Sequence, residues 1–251
     1  MAAKRTTKPR EKPQLIADEL RALIVSGDLS EGEMLGHEPD LVERFGVSRP
    51  SLREALRILE AEGLVTVVRG VHGGVVVHEP GKRMTARTAA LVLQAGNVPL
   101  ADVYEARTML EPVAARVIAT SRGRKAAVKK LRSLLADEGD AIEDPEKFGV
   151  ANAAFHHGLV SLAGNQTLIV VADMLDEIVV RAVTAVSSGD DIVGSLAVRQ
   201  RGLRSQARLL DLIDDGDGPG AEEHWRTHMQ VVGRVMLGQR ASTVVDLLHH
   251  Y

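Results

Sequence analysis

The chain has 251 residues, 45% hydrophobic and 26% charged, which supplies enough apolar material for one large domain or two small ones and excludes a disordered chain. It contains no cysteine, which excludes disulfides, thiolate nucleophiles and cysteine-ligated metal sites. A net charge of −3 excludes a uniformly basic nucleic-acid coat, so the placement of the cations matters more than their number.

Residues 1–12 form a basic tail, with Lys4, Arg5, Lys8, Arg10 and Lys12 against Glu11. The tail lacks the apolar stretch of a signal peptide or anchor, so the expected location is the cytoplasm. No membrane span is expected either, because the longest run without Asp, Glu, Lys or Arg, residues 148–172, is interrupted by Asn152, His156, His157, Asn165 and Gln166.

Leu15, Ile16, Leu20, Leu23 and Ile24 recur at helical spacing until Ser26-Gly27-Asp28, which predicts a first helix. A short second helix is predicted at 39–45, stopped by Gly46. Ser48 is a good N-cap, Pro50 suits a first turn, and Leu52, Ala55, Leu56 and Leu59 line one face of a third helix ending near Gly63. Two strand-like runs follow, 64–69 and 74–78, joined by Gly70-Val71-His72-Gly73. The order helix, helix, turn, helix, two-stranded wing predicts a winged helix-turn-helix domain over 13–80.

A linker is expected at 81–84, and 85–251 reads as helical throughout. Helices are predicted at 100–120, 125–142, 145–163, 166–187, 192–213 and 220–237, with a last piece at 244–248 and apolar periodicity resuming at 89–93. Gly123, Gly164-Asn165, Ser188-Gly189 and 216–220 punctuate them. The fold class is therefore mainly α: the winged helix followed by an antiparallel all-α bundle.

On the third helix, Arg49, Arg53 and Arg57 are four apart and rise along one stripe, opposite Leu52, Leu56 and Leu59. An arginine at the exposed start of such a helix can pair bidentately with guanine or clamp a phosphate, the geometry of major-groove recognition. Ser48 and Ser51 add hydroxyls at the same end. Double-stranded DNA is the expected partner. Because one such domain buries little surface, a homodimer on a palindromic operator is expected.

The run Phe45-Gly46-Val47-Ser48-Arg49-Pro50-Ser51-Leu52-Arg53-Glu54-Ala55-Leu56-Arg57-Ile58-Leu59-Glu60-Ala61-Glu62-Gly63-Leu64 resembles the signature of GntR-type winged-helix transcriptional regulators. The resemblance implies base or phosphate contacts for Ser48, Arg49, Ser51 and Arg53, and minor-groove or phosphate contacts for His72 and Gly73. The sequence departs from the family at Leu35-Gly36-His37-Glu38-Pro39, where Pro39 takes the place of a usual arginine.

The second half is similar to the FCD effector domain of the FadR-like branch of that family. The resemblance rests on Glu105-Ala106-Arg107-Thr108-Met109-Leu110-Glu111-Pro112, on Asn152-Ala153-Ala154-Phe155-His156 with Ala163-Gly164-Asn165, and on 206–217 with His228. Many members hold a divalent metal with one Asp and three His side chains. The matching positions here are Asn152, His156, Gln206 and His228, so two ligands survive, and neutral amides replace the others. Zinc or another divalent metal on His156 and His228 is one expectation. The other is a polar pocket in which Asn152, His156, Gln206 and His228 bind an organic effector directly. An arginine on the inward side of a helical bundle needs an anionic partner, so Arg107 is expected to meet Glu111 or an effector carboxylate.

His224 and His228 are also four apart, but His-Trp-Arg-Thr-His lacks the internal glutamate of a zinc hydrolase motif. The sequence thus reads as a ligand-responsive regulator, expected to be a repressor answering to a carboxylate or an acyl thioester, and not as an enzyme. The alternatives are a metal-responsive regulator and a histidine-dependent metalloenzyme with an interaction module.

Overall fold

The computed structural model describes residues 12–68, 70, 73–186 and 195–237. The basic tail before Lys12, His72 and the helix expected at 244–248 lie outside the described residues. The chain divides into two compact units, Met1–Met84 and Thr85–Tyr251.

The first unit contains helices α1 (Lys12–Ser26), α2 (Glu38–Phe45) and α3 (Arg49–Ala61), then strands β1 (Val65–Val68) and β2 (Gly74–Val77). Gly46, at φ 60°, closes α2 in the left-handed conformation that glycine adopts at little cost. Ser48 then caps α3 by accepting a hydrogen bond from the Ser51 amide, and Pro50 sits in the first turn. Leu52, Ala55, Leu56 and Leu59 bury the inner face of α3 against Ile16, Leu20 and Ile24 of α1 and Leu41 of α2. The strands pair antiparallel, with Val65 opposite Val77 and Val68 opposite Gly74. Met34 makes an isolated bridge to Val76, so the segment before α2 adds a third partner to the wing that the sequence pattern did not predict.

The second unit is built from α4 (Lys82–Ala95), α5 (Leu100–Thr120), α6 (Arg124–Asp140), α7 (Pro145–Leu162), α8 (Gln166–Val186), α9 (Leu196–Asp215) and α10 (Gly218–Leu237). Helix α4 begins at Lys82, inside the segment expected to be a linker. Lys, Arg and Met are good helix formers, and only Pro80 and Gly81 interrupt the chain there. Trp225, Phe155, Ile118, Leu131, Leu159, Leu209 and Ile213 form the larger core, where α5, α6, α7, α9 and α10 meet. Leu100, Val103, Leu175 and Ile178 form a second core that includes α4, α5 and α8. No described helix is long and apolar enough to cross a membrane.

Candidate functional site

In the first unit, the predicted cationic stripe on α3 is exposed at Arg49, Arg53 and Arg57 while its opposite face is buried. Arg49 makes no ion pair among the described residues. Arg53 donates from Nε to both carboxylate oxygens of Glu38, at 3.0 and 2.9 Å, and Arg57 meets Glu54 at 3.5 Å. The Glu38 partnership spans 15 residues between two helices, so no local pattern announced it. Ser48 and Ser51 sit with their hydroxyl oxygens 2.9 Å apart at the positive end of α3, where backbone N–H groups favour an anion. Pro39 lies in the first turn of α2. Gly73 is buried at the turn before β2, its amide donating to the Gly70 carbonyl at 2.9 Å.

In the second unit, Asn152, His156 and His228 line one cavity of about 230 Å³ between α7, α9 and α10, together with Phe148, Arg199 and His224. Phe148, Asn152 and His156 succeed one another every four residues along α7 and therefore share a face. Gln206, also buried, does not line the cavity. Its amide donates to Oε1 of Glu138 at 3.3 Å, as does the amide of Asn152 at 3.0 Å. Glu138 on α6 is thus a hub that the sequence reading missed. It is fully buried, its Oε2 and the Gln206 Oε1 have no hydrogen-bond partner, and burial pushes its carboxyl above the usual range against the pull of Asn152, His156 and Gln206.

Arg107 does not line this cavity. Its guanidinium donates to Glu111 at 2.9 and 3.1 Å and pairs with Asp176 at 2.9 Å, so two carboxylates supply the anionic partner that the sequence demanded. Glu111 carries the connection inward, its other oxygen accepting from His156 Nδ1 at 2.6 Å and Trp225 Nε1 at 3.0 Å. Burial alone would raise the Glu111 carboxyl, but the charges of His156 and Arg107 and the donors of His156 and Trp225 outweigh it and hold the group at about 2. His228 stacks on Trp225 with ring centroids 4.2 Å apart. Burial, then the neighbouring His156, pushes its imidazole down to about 3 despite Glu111, so His228 is neutral near pH 7.

The two expected metal ligands, His156 and His228, stack with centroids 6.3 Å apart, and Glu111 already engages Nδ1 of His156. Among the described residues, no three His, Asp or Glu side chains surround a common metal position. The donor set fits a divalent ion poorly, because Asn152 and Gln206 can offer only neutral amide oxygens, which are weak ligands. A wider groove of about 640 Å³ runs between α5 and α10 past Tyr104, Thr108, Met109 and Arg226, away from the predicted residues.

Residues 102–231 match the family described as FCD domain, and residues 13–77 match bacterial regulatory proteins, gntR family. The chain belongs to the GntR family. Over 236 residues it is 28% identical to the putative L-lactate dehydrogenase operon regulatory protein of Escherichia coli K12, covering 91% of this chain and 87% of that protein. It is 24% identical to the transcriptional repressor NanR of Cronobacter sakazakii, covering 87% and 83%. A solved GntR structure from Streptococcus agalactiae shares the fold, with a TM-score of 0.64 at 21% identity over 88% of this chain and 99% of that one. This GntR-family protein is a DNA-binding transcriptional regulator, not an enzyme, and its helical unit is an FCD domain.

Proposed function

We propose that this GntR-family protein is a cytoplasmic, ligand-responsive repressor that binds a palindromic operator as a homodimer. The observation that carries the DNA assignment is α3 itself: Arg49 exposed and without an ion pair among the described residues, Arg53 held by Glu38, and Ser48 with Ser51 at the helix start. Arg49 and Arg53 read base edges, the two serines seat a phosphate, and the wing at His72 and Gly73 contacts the adjacent backbone or minor groove. Residues 13–80 act as the DNA-binding domain and 85–251 as the effector and dimerisation domain.

The effector occupies the cavity between α7, α9 and α10, where Asn152, His156 and His228 line the wall and Gln206 with Glu138 backs it. At about 230 Å³ it falls below the roughly 300–1,000 Å³ typical of pockets for drug-sized ligands, which favours a small carboxylate over an acyl thioester. Arg107 acts through Glu111, orienting His156, and not as the effector's own anchor. The effector acts by binding one arrangement of the paired winged helices more tightly than another, since equal affinity would shift nothing. NanR being named a repressor supports release from DNA as the response.

Selection of bound duplexes from a random pool is expected to return an inverted repeat with half-sites spaced by about one or two helical turns. Small carboxylates added to that complex are expected to release it. Recovery of no sequence preference over scrambled competitor at near-cellular salt would overturn the reading.

A further inference from the structure

Among the cations that line or approach the effector cavity, Arg199 on α9 is singular. It is 8% exposed, and its Nε has no hydrogen-bond partner. Among the described residues it makes no ion pair, and the centre of the Phe148 ring lies 5.8 Å from its guanidinium carbon. The other buried arginine, Arg107, meets two carboxylates, and the partly buried Arg181 meets Glu177. A guanidinium whose Nε is buried without an acceptor and which has no counter-charge among the described residues is unfavourable, and an aromatic face does not satisfy that donor. The apolar wall of the cavity, Phe148 with Val198, Val231 and Val232, supplies no acceptor. Arg199 lines the cavity, so an anion bound there would supply the acceptor that the described residues do not.

We propose that Arg199 is the anion anchor of the FCD cavity, its guanidinium forming a paired hydrogen bond with the carboxylate of a small organic acid. This assignment rests on the effector reading above and deepens it. Asn152 and Gln206 supply neither charge nor strong metal ligands, and Arg199 provides the positive charge at the cavity. Arginine suits the role because its planar fork matches both oxygens of a carboxylate, whereas an uncharged amide offers only one acceptor. The Phe148 ring lies within cation–π range of the guanidinium and, with Val198, Val231 and Val232, gives the cavity an apolar wall for the rest of the ligand.

The test uses the full-length protein with acetate, L-lactate, succinate and inorganic phosphate, and with the primary amides of the three acids. Thermal melting and calorimetry report binding, and fluorescence anisotropy on a selected operator reports DNA release. At least one acid is expected to raise the melting temperature of the wild type while its amide does not. Arg199→Met is expected to melt no lower than wild type in ligand-free buffer, because a buried unpaired charge has been removed, and to lose affinity for the acid by about tenfold or more. Arg199→Lys is expected to recover part of that loss. Phosphate binding in place of every carboxylate would overturn the carboxylate assignment. Equal binding of acid and amide, or equal acid affinity in Arg199→Met, would remove Arg199 as anchor while release from DNA still upheld the effector pocket. An Arg199→Met protein that melts well below wild type without ligand would make Arg199 a structural residue and also overturn the proposal. If no compound binds yet the operator is bound, the anchor and pocket assignments fail and the DNA-binding assignment stands.

Discussion

Arg49 and Arg53 share a helix face and differ in their surroundings. Arg49 has no ion pair among the described residues, whereas Glu38 holds the Arg53 guanidinium through both carboxylate oxygens. Arg49→Ala and Arg53→Ala are each expected to weaken operator binding roughly 10- to 100-fold if the side chains read bases, with the circular dichroism of the protein unchanged. Losses that are uniform across sequences and that flatten the salt dependence would instead place them on phosphates. Glu138 behaves differently, as a buried carboxyl whose raised pKa means that ionisation costs stability once pH exceeds the unfolded value near 4.5. The folded state binds that proton more tightly than the unfolded state, so the cost is absent at acid pH and grows as pH rises through the folded pKa. Glu138→Gln keeps one acceptor for Asn152 and Gln206 and adds a donor for the unpartnered Gln206 oxygen. Denaturant titration is expected to show it about 1 kcal/mol more stable than wild type at neutral pH, with the gain shrinking toward pH 4. A loss at neutral pH would show that Glu138 is held ionised by a partner.

Among the elements, the wing depends most on a single backbone position. Gly74 opens β2 at φ 156°, and a Cβ there would stand 2.5 Å from the Met34 sulfur and 3.1 Å from the Gly36 carbonyl oxygen. The Met34 side chain can move, but the Gly36 carbonyl cannot, because it accepts from the Val75 amide at 3.1 Å. Gly74→Ala is expected to destabilise the first unit by about 1–3 kcal/mol through backbone strain and loss of that pairing. Hydrogen exchange should show the loss at Val75 and Leu35, whose amides hold the Met34 segment to the wing, and leave the helical unit unaffected. Helix α7 illustrates the opposite dependence. Its stripe of Phe148, Asn152 and His156 at four-residue spacing is written into the sequence, yet what each side chain touches is set by α5, α6, α9 and α10.

Among the described residues of the whole molecule, the buried charged groups lie in the second unit, as does the single tryptophan, whose indole donates to Glu111. Two of its groups set the acid response. His228 is depressed to about 3, so the unfolded chain takes up a proton below about pH 6.5 that the folded chain refuses, and stability falls as pH drops through that range. Glu111, held at about 2, adds stability that is complete above about 4.5 and lost as pH falls toward 2. Acid titration followed by Trp225 fluorescence is therefore expected to show the helical unit losing stability from about pH 6.5 downward and most steeply below 4.5. Glu111→Gln should lower its stability at neutral pH by roughly 3–5 kcal/mol, because Arg107 loses one of its two counter-charges. Fluorescence unchanged to pH 2.5 would remove the network from the stability of the unit.

The sequence by itself determined the elements and the exposed cationic face of α3. Helix caps such as Ser48, stops such as Gly46 and apolar spacing such as Leu52, Ala55, Leu56 and Leu59 are local properties that a chain carries before it folds. It pointed to Asn152, His156 and His228 only through the resemblance to the FCD domain, since two of them lie on α7 and the third on α10. Only the tertiary structure decided the partners: Glu38 for Arg53, Asp176 for Arg107, Glu138 for the two amides, and, among the described residues, no counter-charge for Arg199. Those pairings join residues on different helices across tens of positions, and the free energy of a buried charge depends on what surrounds it in space, which no local spacing encodes.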